Sequence, residues 1–283
     1  MSHVVGRLEL GDHVCWQFDS EAVRRAVAAE LVQMGLGARR KVVWCPASPQ
    51  TAVSDLRRCG IEPGPALRSG QLAITKPADY YFTRGFGVDA TVQQWNSESA
   101  RACAEGYAGL QAIADMSWAV TTGISLDRLA RYEAVVNRVI TGGSAMAVCQ
   151  YDTRLFNHEQ LRPLAMAHPG TVRARPSTEP GPLLRIRRNG LSLRMTGECD
   201  LSNRLAIGAC LADLRDDCIA AARPMTVDAT ALQFADAFTA RLLINAAAVV
   251  PAGCTVICSP QLVSMFDLLG GPAEVNLRYR AEG

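Results

Sequence analysis

The sequence predicts an α/β protein with two domains of different topology. Short apolar strands without polar alternation, each followed by a helix, indicate a parallel sheet covered on both faces. The segment "RARPSTEPGP" from Arg173 to Pro182 has three prolines and no apolar periodicity, which is typical of a linker. Just beyond it, Asn189-Gly190 between two apolar runs predicts a β-hairpin. We therefore expect domains over residues 1–172 and 183–283, joined by a proline-rich linker over residues 173–182.

Strand and helix signals alternate in the first domain. Apolar residues at positions 23, 27, 31 and 34 predict the first helix, with Ser20 as its N-cap. The predicted strands that follow are "KVVWC", "QLAIT", "GLQAIAD" and "AMAVCQYD". The predicted helices are "SPQTAVSDLRRCG", a segment from about Asp89 to Ala104, "SLDRLARYEAVVNRVI" and "NHEQLRPLAMAH". In sheets of this kind, ligands bind at the carboxyl ends of the strands.

The second domain opens with the hairpin and continues as an α/β sheet. The hairpin strands are "LLRIRR" and "LSLRMTGECD". A helix from about Asn203, the strands "MTVDAT", "CTVICS" and "EVNLRY", and the helix "PQLVSMFDLLG" follow. Between them, "TALQFADAFTARLL" from Thr230 to Leu243 predicts the end of a strand, a tight turn at Asp236 and an apolar helix.

Composition and charge narrow the class of protein. The 283 residues are 49% apolar and carry a formal net charge of +2, so we expect neither nucleic acid nor an anionic membrane as a partner. No signal peptide and no run of 18 apolar residues is visible, which predicts a cytoplasmic protein. The ten cysteines include no CxxC pair and lie mostly in apolar segments, so we expect free thiols packed in the cores.

Familiar catalytic and metal-binding motifs are missing from the sequence. Lys41 and Lys76, the two lysines, lie outside any GxxxxGK[ST] loop, and there is no GxSxG elbow. Cys149 and His168 invite comparison with a Cys–His pair, but the apolar strand around Cys149 favours core packing. We therefore predict no catalytic residue and no metal, and nothing in the sequence identifies a cofactor. The histidines, which share no metal-ligand spacing, are His3, His13, His158 and His168.

Polar and aromatic residues cluster at the predicted loop edges of the first domain. They could line one pocket at the carboxyl edge of the sheet, with aromatic walls and a few polar contacts. Alternatively, each aromatic residue belongs to the core and each carboxylate caps a turn, and the sequence leaves both interpretations open. The candidate ligand-binding residues are Asp12, His13, Trp16, Tyr80, Tyr107, Asp115, Trp118, Glu133, Tyr151, Asp152 and His168.

The first 170 residues resemble the MEDS domain, a sensory domain named after methanogens, methylotrophs and a dichloromethane-responsive regulator. The stretches that carry the resemblance are "GDHVCWQFDS", "GQLAIT" with "YY", "EGYAGLQAIADMSWA", "LARYEAVVNRV", "VCQYD" and "AHPGTV". The resemblance implies a RecA-like three-layer core that lacks a Walker A loop and senses small molecules, proposed to be hydrocarbon derivatives. One departure is Gln111, where the family pattern leads us to expect an arginine after "GYAGL".

The last 100 residues resemble the STAS domain of anti-sigma factor antagonists. "LSLRMTGECDLSNR" and "VDATALQFADAFTARLL" carry the resemblance. It implies a partner-binding switch turn made of Asp200, Asp236, Ala237, Phe238 and Thr239. In that family a phosphorylated serine follows the aspartate of the turn and ends binding to a kinase-type anti-sigma factor. Ala237 stands at the serine position here, and Thr239 points about 200° further around the helix.

Three functions are compatible with these observations. The first is a signalling protein in which a small molecule bound by the first domain, rather than a phosphate, controls binding of an anti-sigma factor. The second uses the STAS-like domain as a dimerisation or scaffold module. The third is an unrecognised enzyme with Asp115, His13 or Glu133 as acid–base groups. The sequence favours the first, a protein that is not an enzyme.

Overall fold

Two β-sheets organise the chain, and helices pack against both. The computed structural model describes residues 5–81, 86–173, 183–270 and 277–281. Most of the predicted linker, residues 174–182, lies outside the described residues, as do residues 274–276 of the last predicted strand. The α/β class predicted from the sequence is confirmed in both sheets.

The first sheet has six parallel strands among the described residues, in the order β3-β2-β4-β5-β1-β6. The strands are β1 (His13–Phe18), β2 (Lys41–Cys45), β3 (Leu72–Ile74), β4 (Leu110–Asp115), β5 (Ala145–Asp152) and β6 (Gly170–Arg173). Every residue of β1, β2, β4 and β5 is buried, as expected for a parallel sheet covered on both faces. The sequence patterns did not predict β1 and β6.

Helices cover both faces of this sheet. They are α1 (Glu21–Gly37), α2 (Pro49–Arg58), α3 (Gly64–Ser69), α4 (Pro77–Tyr81), α5 (Val88–Ala104), α6 (Trp118–Thr121), α7 (Leu126–Val135), α8 (Asn137–Ile140) and α9 (His158–Met166). The first three pack on one face around Trp16 and Trp44, and the others pack on the opposite face around Trp95 and Tyr132. Within the described ranges, no helix combines the length and apolar composition that a membrane span requires.

One predicted helix, "SLDRLARYEAVVNRVI", is divided into α7 and α8. The side chain of Asn137 donates to the backbone oxygens of Glu133 and Ala134, three and four residues earlier, at 3.0 Å. An asparagine that bonds the preceding turn competes with the backbone ladder of the helix. The break therefore coincides with a fully buried asparagine, whose role in the site is described below.

The second sheet is mixed. Its strands are β7 (Arg185–Asn189), β8 (Ser192–Cys199), β9 (Met225–Ala235), β10 (Cys254–Cys258) and β11 (Leu277–Ala281), in the order β11-β10-β9-β8-β7. Only the β7–β8 pair is antiparallel in this part of the chain, which confirms the predicted hairpin. Asn189 pairs with Ser192, so Gly190 and Leu191 form the turn, with Gly190 at φ 58°. The helices are α10 (Arg204–Ala220), α11 (Ala237–Ala248) and α12 (Pro260–Leu268).

The part of the chain around the second sheet, which the sequence predicts to be the second domain, packs directly on the part around the first sheet. Helix α10 contacts α7, α8 and α9, and the Arg188 amide of β7 donates to the Thr141 backbone oxygen after α8 at 2.8 Å. Gly11 lies against the Arg187 side chain so closely that a Cβ there would approach the guanidinium carbon to 2.4 Å. Gly11 also has φ 93°, a conformation that favours glycine. The close approach of Arg187 to the first domain thus depends on a glycine at position 11, just before β1.

Candidate functional site

A buried polar cluster lies under the sheet face that α5–α9 cover. It consists of His13 at the start of β1, Cys149 within β5, Glu133 on α7 and His168 after α9, each at most 4% exposed. The register pairs His13 with Ala147, which places His13 and Cys149 on the same face of neighbouring strands. Four separate elements thus bring two imidazoles, a carboxylate and a thiol together in the core.

Their polar atoms converge on the Glu133 carboxylate. Its Oε2 lies 3.4 Å from His13 Nε2, 3.5 Å from His168 Nε2 and 3.6 Å from Cys149 Sγ. The Cys149 Sγ also lies 3.5 Å from His13 Nε2. One ligand-type atom from each of the four residues lies within 4.8 Å of every other, so among the described residues this cluster could hold a metal ion.

A surrounding set of hydrogen bonds orients the cluster. Asn137 Oδ1 lies 3.0 Å from His13 Nδ1, while the Asn137 amide donates to three backbone oxygens, including that of Ala167 at 2.9 Å. His168 Nδ1 lies 2.7 Å from the Leu164 oxygen. The Tyr151 hydroxyl donates to Glu133 Oε1 at 2.6 Å. Each ring is therefore fixed with Nε2 facing Glu133.

The electrostatics of the cluster follow from its burial. Burial lowers the pKa of His168 to about 3, so its imidazole is neutral near pH 7. Burial alone would raise the pKa of Glu133, but its interactions with His168, His13 and Tyr151 hold that pKa below its ordinary value. Burial and the neighbouring Glu133 raise the pKa of the Cys149 thiol well above its ordinary value. A thiol held in this state is a poor nucleophile, which argues against a Cys–His catalytic pair.

An apolar cavity of about 20 Å³ opens beside the cluster. Its floor is formed by small residues of β4 and β5 that face each other in register, including Ala112 opposite Ala147. Its walls come from aromatic and aliphatic side chains of the covering helices, and His13 and Cys149 contribute to its lining. The helical wall residues are Tyr81, Trp95, Tyr132, Val136, Val139 and Ile140. A cavity of this size accommodates about one or two water-sized groups.

The carboxyl edge of the sheet is organised differently from the predicted pocket. Asp115 accepts from the Ser117 amide at 2.9 Å and lies 3.8 Å from Arg24 Nε, while Asp152 binds the Arg154 guanidinium. Burial raises the pKa of Asp115 above its ordinary value. These carboxylates form structural ion pairs away from the His13 cluster. Only two residues, 19 and 20, connect β1 to α1, which leaves no room for a phosphate loop at this position.

The other candidate residues of the first domain are scattered. Tyr80 stacks on Trp95 with ring centroids 4.5 Å apart, and Trp118 packs on Tyr81 at 4.6 Å, so both lie in the layer behind the cavity. Trp16 lies on the opposite sheet face. Tyr107 lies near Lys41, with its hydroxyl 3.3 Å from the Ser69 oxygen, and Asp12 turns towards the second domain.

The structure therefore unites His13, Glu133, Tyr151 and His168 but does not form a single pocket from all eleven candidates. Gln111, the departure from the family pattern, lies on the opposite sheet face, where it donates to the Leu31 oxygen at 2.7 Å. It does not reach the cluster.

One residue of the cluster, Cys149, and one of its hydrogen-bond partners, Asn137, were not among the candidates. Cys149 was assigned to core packing, yet its Sγ contacts His13 and Glu133. Asn137 lies in the middle of an amphipathic pattern with nothing to mark it. Both residues are polar, and the helical and strand periods of the sequence place both in the core. A search for polar residues at predicted core positions could therefore have identified them.

In the second domain, the predicted switch turn is a helix N-terminus. Asp236 caps α11 by accepting from the Thr239 amide at 2.8 Å. The Thr239 hydroxyl is fully buried and bonds the same carboxylate at 2.9 Å, so a kinase would have to open the turn to reach it. Ala237 and Phe238 are exposed, and Asp200 accepts from the Ser202 amide in the loop before α10.

Two solved structures of archaeal proteins are similar to this chain. FlaH, a flagellar accessory protein from Methanocaldococcus jannaschii, matches 66% of this chain and 79% of its own length, with 11% identity and a TM-score of 0.43. A KaiC-like protein from Pyrococcus horikoshii matches 65% of this chain and 78% of its own, with 12% identity and a TM-score of 0.38. No curated protein matches the chain.

The family comparison is decisive for the first domain. The profile of the MEDS domain, described as the methanogen/methylotroph, DcmR sensory domain, matches residues 12–169. This range is more than half of the chain, and it contains the whole polar cluster and the residues that line the cavity. The match ends before the second domain. The chain belongs to the MEDS family of sensory domains.

Proposed function

We propose that the protein is a sensor in which a small molecule, bound beside the buried polar cluster, controls the interactions of the second domain. The observation that carries this proposal is the position of the cavity. It lies between the sheet and α5, α7 and α8, and the second domain packs on α7 and α8. A ligand that changes how these helices sit on the sheet therefore changes the surface on which α10 rests.

Three contacts connect the cluster to the second domain. Asp12, next to His13, accepts from Arg187 at 3.0 Å and from Arg185 at 3.1 Å, both on β7. The side-chain nitrogen Nδ2 of Asn203, the N-cap of α10, lies 3.5 Å from the backbone oxygen of Pro169, which is next to His168. Helix α7, which carries Glu133, packs on α10. The second domain thus touches the elements that carry three of the four cluster residues.

The cavity limits the class of ligand. Apolar walls favour a neutral molecule, and a volume of about 20 Å³ holds about two heavy atoms, so a larger molecule fits only when the covering helices move outward. The polar cluster at one end favours a molecule with a single polar or polarisable group. Small alcohols, aldehydes and halogenated alkanes meet both conditions. This class agrees with the hydrocarbon derivatives that the family resemblance implies.

The second domain supplies the proposed output. Its hairpin, its mixed sheet and the capped turn at Asp236 are compatible with a STAS domain, so we propose a kinase-type anti-sigma factor as the partner. The exposed Phe238 leaves an aromatic side chain available for that contact. Since Ala237 cannot be phosphorylated, the small molecule bound by the first domain regulates partner binding in place of a phosphate. Other large apolar side chains exposed around the loops after β8 and β9 are Leu201, Leu205 and Phe234.

Ligand titration tests the sensing part of the proposal. Methanol, ethanol, formaldehyde, acetaldehyde and dichloromethane are added to the full chain while tryptophan emission is recorded, because Trp95 lines the cavity. We expect at least one compound to give a saturable change that Ala112→Val, which fills the cavity, abolishes. Ala229→Val, a buried strand alanine in the other core, is the control. Catalytic turnover of a compound would instead favour the enzyme interpretation.

Affinity capture tests the output. Tagged protein is incubated with a lysate of the source organism, and bound proteins are identified by mass spectrometry. We expect an ATPase-fold anti-sigma factor in the eluate, and we expect Ala237→Asp to weaken its binding because the substitution places a charge on the contact surface. Equal affinity of the wild type and Ala237→Asp for the anti-sigma factor would show that the partner does not bind at this turn. Recovery of the protein alone would favour the dimerisation or scaffold module.

A further inference from the structure

The two histidines of the cluster both direct their Nε2 atom at Glu133. The Leu164 oxygen can only accept a hydrogen bond, so His168 Nδ1, 2.7 Å away, carries the proton. The Asn137 amide faces three backbone oxygens, so its Oδ1 faces His13, and His13 Nδ1 is the donor there as well. The Nε2 atoms of both rings therefore face the cluster, where each can bind a metal ion through its lone pair once it carries no proton.

This arrangement brings four ligand-type atoms together in a dry interior. The Glu133 Oε2, His13 Nε2, His168 Nε2 and Cys149 Sγ atoms are all buried, and Glu133 Oε2 lies within 3.6 Å of the other three. His168 Nε2 is buried and has no hydrogen-bond partner in the described structure. Native interiors rarely leave such a group unsatisfied. A bound cation would satisfy this nitrogen together with the other three ligand atoms.

Four of the six distances between the ligand atoms match those around a tetrahedral metal ion. Metal–nitrogen and metal–oxygen bonds of about 2.0–2.2 Å and a metal–sulfur bond of about 2.3 Å separate neighbouring ligand atoms by about 3.3–3.6 Å. The separations are 3.4 Å for His13–Glu133, 3.5 Å for His168–Glu133, 3.6 Å for Cys149–Glu133 and 3.5 Å for His13–Cys149. The other two pairs, His13–His168 and His168–Cys149, lie within 4.8 Å, so a small movement of His168 completes the metal geometry.

We propose that His13 Nε2, His168 Nε2, Glu133 Oε2 and Cys149 Sγ bind one divalent transition-metal ion of the zinc type. Two imidazoles and a thiolate favour such an ion over Mg²⁺ or Ca²⁺, which prefer oxygen ligands. On binding, the Cys149 S–H bond breaks, the sulfur bonds the metal and the proton passes to solvent. One thiolate and one carboxylate then balance the two positive charges, so the buried site is neutral.

The residues around the ligands have the roles expected of an outer shell. Asn137 and the Leu164 oxygen hold the two imidazoles by their Nδ1 protons, and the Tyr151 hydroxyl holds the free oxygen of Glu133. Such partners fix the ligands and raise their affinity for the metal. The metal site stands independently of the proposed sensing function, because it rests on the ligand geometry and not on what enters the cavity.

Metal analysis of the purified full chain is the first test. Protein carrying a tag without histidines is freed of loose metal, and its metal content is measured by mass spectrometry. After removal of the bound metal, Co²⁺ is added as a spectroscopic probe. We expect one equivalent of metal per chain, the visible bands of tetrahedral Co²⁺ and a near-ultraviolet thiolate-to-cobalt band. A folded protein that contains no metal and binds no Co²⁺ would overturn the proposal and leave a shared proton to hold the cluster together.

Two substitutions and a control identify the ligands. Cys149→Ser should remove the thiolate band, whereas Cys45→Ser, which changes another buried strand cysteine of the same core, should keep it. Tyr151→Phe leaves all four ligands and the ring packing in place but should weaken metal affinity by about 10–100-fold in a chelator competition. Retention of the band in Cys149→Ser, or unchanged affinity in Tyr151→Phe, would contradict the assignment.

Discussion

Asp12 is the residue at which the two domains are most directly joined. Its side chain is 3% exposed, and it accepts from Arg187 at 3.0 Å and from Arg185 at 3.1 and 3.3 Å. The Asp12→Asn substitution keeps the size and one acceptor oxygen but removes the charge. We expect it to loosen the contact between β7 and the start of β1 without disturbing either core.

The magnitude follows from the exposure of the partners. A hydrogen bond between charged groups contributes about 1.5–3 kcal/mol, but the Arg185 and Arg187 side chains are 32% and 27% exposed, so solvent screens part of each. We expect Asp12→Asn to lower the free energy of unfolding by about 2–4 kcal/mol. Glu9 contacts the same two arginines but is 55% exposed, so Glu9→Gln should cost less than about 1 kcal/mol.

Urea unfolding followed by tryptophan emission measures this difference. All four tryptophans, at positions 16, 44, 95 and 118, lie in the first domain, so the signal reports the domain that contains Asp12. A double-mutant cycle with Arg187→Met should give a coupling energy of about 1–3 kcal/mol. If Asp12→Asn is no more destabilising than Glu9→Gln, the buried ion pairs do not hold the domains together and our account of the contact is wrong.

Three further predictions concern the cavity, the sheet edge and the switch turn. Ala112→Val should lower the free energy of unfolding by less than about 1 kcal/mol, because the added methyl groups fill the cavity. Ala229→Val, in a packed core, should lower it by about 1–3 kcal/mol. Equal losses for the two variants in urea unfolding would show that there is no cavity beside Ala112. Burial raises the pKa of Asp115 above 3.8, so the ionised carboxylate destabilises the folded state. Asp115→Asn should therefore be more stable than the wild type at pH 7. This difference in stability should vanish in urea unfolding as the pH falls below 3.8, where Asp115 is protonated in both the folded and the unfolded state. Asp236→Ala should cost about 1–2 kcal/mol by removing the cap of α11, and an unchanged urea midpoint would refute that role.

The sequence predicted the layers of the fold better than its edges. Continuous apolar runs such as "KVVWC" and "AMAVCQYD" have few alternatives to a buried parallel strand, and both were found. Strand β1 was not predicted because His13 and Gln17 interrupt its apolar pattern with polar groups that turn out to be buried. Strand β6 has four residues and ends at Arg173, the first residue of the predicted linker. A strand of this length is too short to give a periodic pattern in the sequence.

The cluster was only partly predictable for a related reason. Polar type and loop-edge position selected His13, Glu133 and His168, but the same criterion selected Asp115 and Asp152, which form local ion pairs. Ligand spacing along the chain could not reveal the metal geometry, because the four residues come from four elements separated by 16 residues or more. Only the register of β1 on β5 and the packing of α7 and α9 bring them together.

Hydrogen exchange of the full chain tests the central claim, that events in the cavity reach the second domain. The Ala112→Val variant, in which a side chain stands in for a bound ligand, is compared with the wild type by mass spectrometry, with Ala229→Val as the control. We predict altered exchange in α7, in α10 and in β7, across the contacts made by Asp12 and Asn203. A change confined to β4, β5 and α5, with α10 and β7 exchanging as in the wild type, would contradict the account.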